Sequence, residues 1–140
     1  MFTFFGKNVL VTGAGSGIGK ATALLLGLQN ARVIVVDQHQ ETAHQTLEEL
    51  KELGAEGVVV VADISNADAV DQMYARTMKK YETLDGIVHC AGIGVERTIM
   101  ETTREEWDRI IAVNLTGTFL CAQGAAKIMA KQHYGRIVLM

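Results

Sequence analysis

Five short runs rich in valine and isoleucine constrain this chain more than any other feature: "NVLVT" at 8–12, "RVIVV" at 32–36, "VVVVA" at 58–62, "GIVHC" at 86–90 and "RIVLM" at 136–140. They are continuously apolar rather than alternating, as strands buried on both faces of a parallel sheet are. Parallel neighbours need crossover connections, and the intervals carry helical patterns. Val70, Met73, Tyr74, Thr77, Met78 and Tyr81 form a stripe at 3.6 spacing, preceded by Ser65-x-x-Asp68 in the form of a capping box. Ala43, Leu47 and Leu50 form a second stripe, with Gly54 where a C-terminal cap belongs. Thr103-x-x-Glu106 is placed to cap a long helix from about Arg104 to Gln132. Strict alternation of strand and helix predicts an α/β fold with a doubly wound parallel sheet.

The 140 residues are one domain's worth of chain, and 49% hydrophobic with 21% charged describes a globular protein rather than a disordered one. A net charge of −3 gives no reason to expect nucleic acid or an anionic membrane as partner. The longest uncharged stretch, "IIAVNLTGTFLCAQGAA" at 110–126, contains Asn114, two threonines and Gln123 and falls short of a membrane span. His39 and His44 would not share a helix face, so no metal site is expected. Cys90 and Cys121 are too few for a disulfide scaffold, and "MFTFFGK" sets its apolar run before its lysine, the reverse of a secretory signal. Free thiols in a reducing, cytoplasmic setting are expected.

Glycine costs about 0.5–1 kcal/mol relative to alanine in regular structure, so "TGAGSGIG" at 12–19 calls for a use. It forms the turn from the first strand into the first helix, where backbone N–H groups can approach a pyrophosphate and a helix N-terminus can face it. A Cβ at Gly13 or Gly17 would block that approach, and one at Gly19 would hold the helix off the sheet. A glycine-rich turn with no ligand is the alternative, because the spacing G-x-x-x-G-x-G differs from the commonest dinucleotide fingerprint. Asp37 follows the second strand about 20 residues after Gly17, where a carboxylate accepts hydrogen bonds from both ribose hydroxyls of an adenosine. Its other reading is a surface aspartate closing a strand. A 2′-phosphate at about 4 Å from that carboxylate would be repelled by about 4 kcal/mol at an effective dielectric near 20, which favours NAD over NADP. Neither Gln38 nor Ser16 can neutralise it.

Further strand ends add to the pattern. In "ADIS", Asp63 can meet an adenine amino group while Ile64 packs on the ring, or Asp63 can help start the helix at Ser65. In "HCAGIG", Ala91 and Gly92, after Cys90, let backbone pass close to a ligand at the switch point. Asn114 interrupts an apolar helix face and is either a polar anchor or a site residue.

Together, "TGAGSGIG", Asp37, "ADIS", "CAG" and "NLTGTF" resemble a short-chain dehydrogenase/reductase of the TG-x-x-x-G-x-G branch, over Lys7 to Met140. The resemblance implies a Rossmann-type sheet of strand order 3-2-1-4-5 and NAD(P)-dependent hydride transfer between an alcohol and a ketone. It implies that Gly13, Ser16, Gly17, Ile18 and Gly19 contact the cofactor phosphates, Asp37 the ribose, and Asp63 and Ile64 the adenine. The Cys90–Gly92 backbone would run beside the cofactor, and Asn114 would be the active-site asparagine that holds a water in a proton relay. A homo-oligomer through the long helix at 104–132 is also implied. Two departures stand out. The family's Asn-Asn-Ala-Gly is His89-Cys90-Ala91-Gly92 here, and the family's later serine and Tyr-x-x-x-Lys pair have no counterpart, since Tyr74, Tyr81 and Tyr134 are followed four residues on by Met78, Asp85 and Val138. The expectation is one NAD(P)-binding Rossmann domain over 1–140, ending in or just after its fifth strand, and inactive alone. A non-catalytic NAD-binding module and a Rossmann methyltransferase are the alternatives. The substrate is not legible.

Overall fold

In the computed structural model, which describes residues 3–140, strand β1 (Asn8–Thr12) is buried at every position. Only the centre of a sheet covered on both faces allows that. β1 pairs in parallel with β2 (Arg32–Asp37) on one side and β4 (Gly86–His89) on the other, Leu10 standing opposite both Ile34 and Ile87. Beyond β2 lies β3 (Gly57–Val61), and beyond β4 lies β5 (Arg136–Leu139), so the order is β3-β2-β1-β4-β5, as the sequence implied.

The pleat sorts alternate strand residues to opposite faces. Val9, Val11, Val33 and Val35 face helices α1 (Gly17–Leu28) and α2 (Gln40–Glu52), packing with Ala23, Leu26, Ala43 and Leu50. Leu10, Ile34, Val36 and Ile87 face α3 (Ala67–Tyr81) and α5 (Thr118–Gln132), packing with Met73, Tyr74, Cys121 and Ala125. Each such fully buried aliphatic side chain contributes about 1.5–3 kcal/mol relative to exposure. At the ends of the strands away from the site, Lys7 Nζ meets Asp85 Oδ1 at 3.0 Å, and Gln132 pairs with both backbone groups of Leu84.

Local signals resolve unevenly. Gly54, at φ +75°, receives the end of α2, its N–H donating to Lys51 O and that of Ala55 to Leu50 O, as in a Schellman cap. Thr103 and Glu106 do form a reciprocal capping box at the start of α4 (Arg104–Ile111). The box expected at Ser65 and Asp68 does not form: Asn66 is the N-cap of α3, its side chain accepting from Ala69 N, while Ser65 is taken by Asp63. The helix predicted over 104–132 runs through, but it widens into a π-helical segment (Ala112–Gly117) between α4 and α5. The fifth strand departs from the buried-on-both-faces expectation, for every residue of β5 is exposed at the sheet edge. Among the described residues no helix is long and apolar enough to cross a membrane.

Candidate functional site

Because β1 is flanked by β2 on one side and β4 on the other, the crossovers leave it in opposite directions and open a crevice at the C-terminal strand ends. A cleft of about 400 Å³ lies there. Its wall includes Gly13, Ser16, Gly17, Ile18 and Gly19 from the β1–α1 turn, Asp37 from β2, Asp63 and Ile64 after β3, and Cys90, Ala91 and Gly92 after β4. The structure thus brings the sequence-predicted cofactor residues around one cavity. Asn114, which the resemblance gave an active-site role, is not among the residues that line it.

The turn is built for close approach. At Gly13 the backbone is left-handed, φ +64°, and a Cβ would lie 2.8 Å from the Ala91 backbone, so glycine here lets β1 and β4 end side by side. A Cβ at Gly19 would overlap the Gly13 carbonyl. It would push α1 off the turn itself, a nearer obstacle than the sheet face that the sequence suggested. At Gly17, φ +53°, a Cβ would meet nothing, which is what an open ligand face requires. Ser16 is the N-cap of α1, yet its hydroxyl makes no capping bond, and the first turn of α1 holds no acidic residue. The first amides of a helix lack intrahelical acceptors and carry partial positive charge, so this end suits an anion.

Asp37 is fixed by two backbone donors. Gly15 N donates to Oδ2 and His39 N to Oδ1, both at 2.9 Å. The carboxylate therefore ties the glycine turn to the start of α2 and stands at the cleft in a set orientation. No lysine or arginine is among the residues lining the cleft. Asp63 lines the cavity too, and its Oδ1 accepts from Ser65 N at 2.9 Å and Ser65 Oγ at 2.7 Å. This turn precedes Asn66, the N-cap of α3, and the carboxylate's other oxygen has no protein donor among the described residues. Ile64 is buried, and its place depends on Gly117, where a Cβ would come within 2.8 Å of Ile64 Cδ1.

The Asn114 side chain bonds to the segment that follows β4. Its Oδ1 accepts from Ile93 N and its Nδ2 donates to Ile93 O, each at 2.8 Å, clamping the segment after β4 to the π-helical segment. Ile93 and Val113 line the cleft on either side of this clamp. Sequence reasoning missed both, along with Val36, His39 and Ala62, whereas Gln38 was read as a neighbour of the ribose site. Adjacency to the strand ends was the available signal for all but Val113, which arrives through the helix.

His89 replaces an asparagine that the resemblance expects. It is 1% exposed, and burial holds its imidazole below the ordinary pKa. Its Nδ1 lies 2.9 Å from Thr12 Oγ1 and its Nε2 2.9 Å from Thr118 Oγ1. Cys90, half-buried, has its thiol pushed up by burial, with a bond to Thr22 opposing.

Comparison with known proteins agrees with this fold. A family model described as short chain dehydrogenase matches residues 7–140. The chain is 41% identical over 130 residues to a 3-oxoacyl-[acyl-carrier-protein] reductase of Synechocystis sp., covering 92% of this chain and 53% of that protein. With a 3beta-hydroxysteroid dehydrogenase of Mediterraneibacter gnavus it shares 36% over 130 residues, covering 92% of this chain and 47% of the relative. A short-chain type dehydrogenase/reductase from Mycobacterium marinum superposes at a TM-score of 0.94 with 33% identity, over 99% of this chain and 56% of that one. An NAD+-bound xylitol dehydrogenase does so at 0.93 and 30%, over 97% and 53%. The chain spans about half the length of the curated relatives it matches.

Proposed function

The chain belongs to the short-chain dehydrogenase family, and from that premise we propose that its cleft binds NAD in preference to NADP, as the cofactor site of an oxidoreductase that interconverts an alcohol and a ketone. The observation that carries this reading is the Asp37 carboxylate, held at the cleft by Gly15 N and His39 N beside the open N-terminus of α1. The residues present fit a dinucleotide: space at Gly17 where a Cβ would stand, a Ser16 hydroxyl without a capping bond, and an acid one strand away. In this reading the α1 amides and Ser16 hold the pyrophosphate, Asp37 accepts from the adenosine ribose, and Ile64 packs on the adenine, with Asp63 at its amino group. Cys90, Ala91 and Gly92 present backbone beside the nicotinamide half. Bound NAD supplies the hydride acceptor. The preference follows from charge, since a 2′-phosphate would face Asp37 with no lining cation to offset it.

Proton transfer at the substrate oxygen needs a group with a usable pKa, which an amide does not have. Asn114, bonded to Ile93 through Oδ1 and Nδ2, is such an amide, so we assign residues 1–140 cofactor binding and no turnover of their own. The exposed Trp107, Leu115 and Phe119 on the 104–132 helical stretch suit pairing with a second copy.

Calorimetric titration of the chain with NAD and NADP tests the reading. NAD is expected to bind at least about tenfold more tightly, and Asp37→Ala to weaken it by about 1.5–3 kcal/mol, the worth of hydrogen bonds to a charged group, while narrowing the preference. Equal affinities in the unmutated chain would overturn the assignment. No NADH is expected from secondary alcohols above a buffer control.

A further inference from the structure

The two hydroxyls that touch His89 have proton positions fixed by donor accounting. Thr12 Oγ1 accepts from Cys90 N and Ala91 N, each at 3.2 Å, so its own proton points to His89 Nδ1. Thr118 Oγ1 donates to the Asn114 carbonyl at 2.7 Å, so it accepts from His89 Nε2. Only a neutral imidazole with its proton on Nε2 satisfies both ends. The bonds then run one way, from the amides of Cys90 and Ala91 through Thr12, His89 and Thr118 to the Asn114 carbonyl. Asn114 in turn clamps Ile93, which lines the cleft.

We propose that His89 is a positioning residue: a neutral, Nε2-protonated bridge that locks the Asn114–Ile93 clamp to the β1 and β4 ends and so holds two walls of the cofactor cleft in register. The geometry leaves little slack, because every member of the bridge has a partner on each side. Its titratable surroundings do not compete. Burial raises the pKa of the adjacent Cys90 thiol, which favours its neutral form, and no charged group contributes to the shift of His89 itself. The positioning role rests on the cofactor reading above, whereas the tautomer and the clamp do not.

Nitrogen-15 NMR of the 140-residue chain, with hydrogen exchange and NAD titration on the same samples, tests the proposal. At neutral pH, His89 is expected to carry its proton on Nε2 with Nδ1 bare. Thr118→Val keeps the side-chain shape and deletes the hydroxyl. It is expected to speed amide exchange at Ile93 about tenfold, the worth of one hydrogen bond, and to leave Val35 in the central sheet unchanged. NAD affinity is expected to fall about fivefold with it, and Thr118→Ser to restore both. A proton on Nδ1, unaltered exchange at Ile93, or unaltered affinity in a variant that still binds NAD overturns the proposal. The tautomer is read in the unmutated chain, so the bridge stays testable if Thr118→Val does not fold. A chain that binds no NAD at all overturns the cofactor reading instead, and tautomer and exchange then decide the bridge by themselves.

Discussion

Gly17 and Gly19 stand two residues apart in one turn, and a methyl group at each would do different damage. At Gly19 it collides with the Gly13 carbonyl, which belongs to backbone that cannot rotate away. Gly19→Ala is expected to cost about 1–3 kcal/mol of stability, the range for overpacked sites, seen as a lower urea midpoint. At Gly17 the methyl meets no protein atom and costs only the left-handed backbone penalty of about 1–2 kcal/mol, but it stands where the cleft is open. Gly17→Ala is therefore expected to lose more NAD affinity than Gly19→Ala does per unit of stability, as calorimetry beside denaturation would show. The turn glycines and Asp37 were legible in the sequence because each carries its chemistry in a local pattern, a missing Cβ or a charge at a strand end. His89 was not, since its partners Thr12 and Thr118 lie 77 and 29 residues away. A side chain whose meaning is a long-range hydrogen bond leaves no periodic trace.

Two capping signals of the same form met different fates. Thr103 and Glu106 close reciprocally, Glu106 N donating to Thr103 Oγ1 at 3.1 Å and Thr103 N to Glu106 Oε2 at 2.9 Å. Ser65 had a stronger claimant two residues upstream, the Asp63 carboxylate, and the cap passed to Asn66. Local competition between carboxylate and hydroxyl decides such cases, and a four-residue pattern does not contain it. Nor does a sequence announce a π-helical segment, which here ends at Gly117, where a Cβ would crowd Ile64. The central strands β1 and β2 were legible because burial on both faces writes a continuous apolar run, whereas β5 carries such a run with every residue exposed at the sheet edge. No residue of α4 is buried, so its first turn is held by the cap and by the ion pairs of Glu106 with Arg97 and Arg104 with Asp108. Thr103→Ala is expected to cost about 1 kcal/mol, appearing as faster amide exchange at Glu106 with the global melt almost unmoved.

For the molecule as a whole, the buried imidazole makes stability depend on pH. Its folded pKa lies below the unfolded value near 6.5, so below that pH the unfolded chain takes up a proton that the folded chain refuses. The contribution is complete above about pH 6.5 and declines as pH falls toward the folded value, with a limiting slope of about 1.4 kcal/mol per unit. Melting temperatures of the unmutated chain and His89→Gln, compared from pH 7.5 down to about 5, are expected to converge as the pH drops. Parallel curves would exclude His89 as the source. The strand order carries a consequence for biosynthesis as well. The β1, β2 and β3 strands lie within residues 8–61, whereas β4 begins at Gly86 and closes the other edge of β1. At about 5–20 residues per second, a ribosome takes a few seconds to pass from the end of β3 to the end of β4. During that interval the most buried strand of the finished protein is an open edge on a nascent chain. Its Val9, Leu10 and Val11 are then a chaperone's natural target.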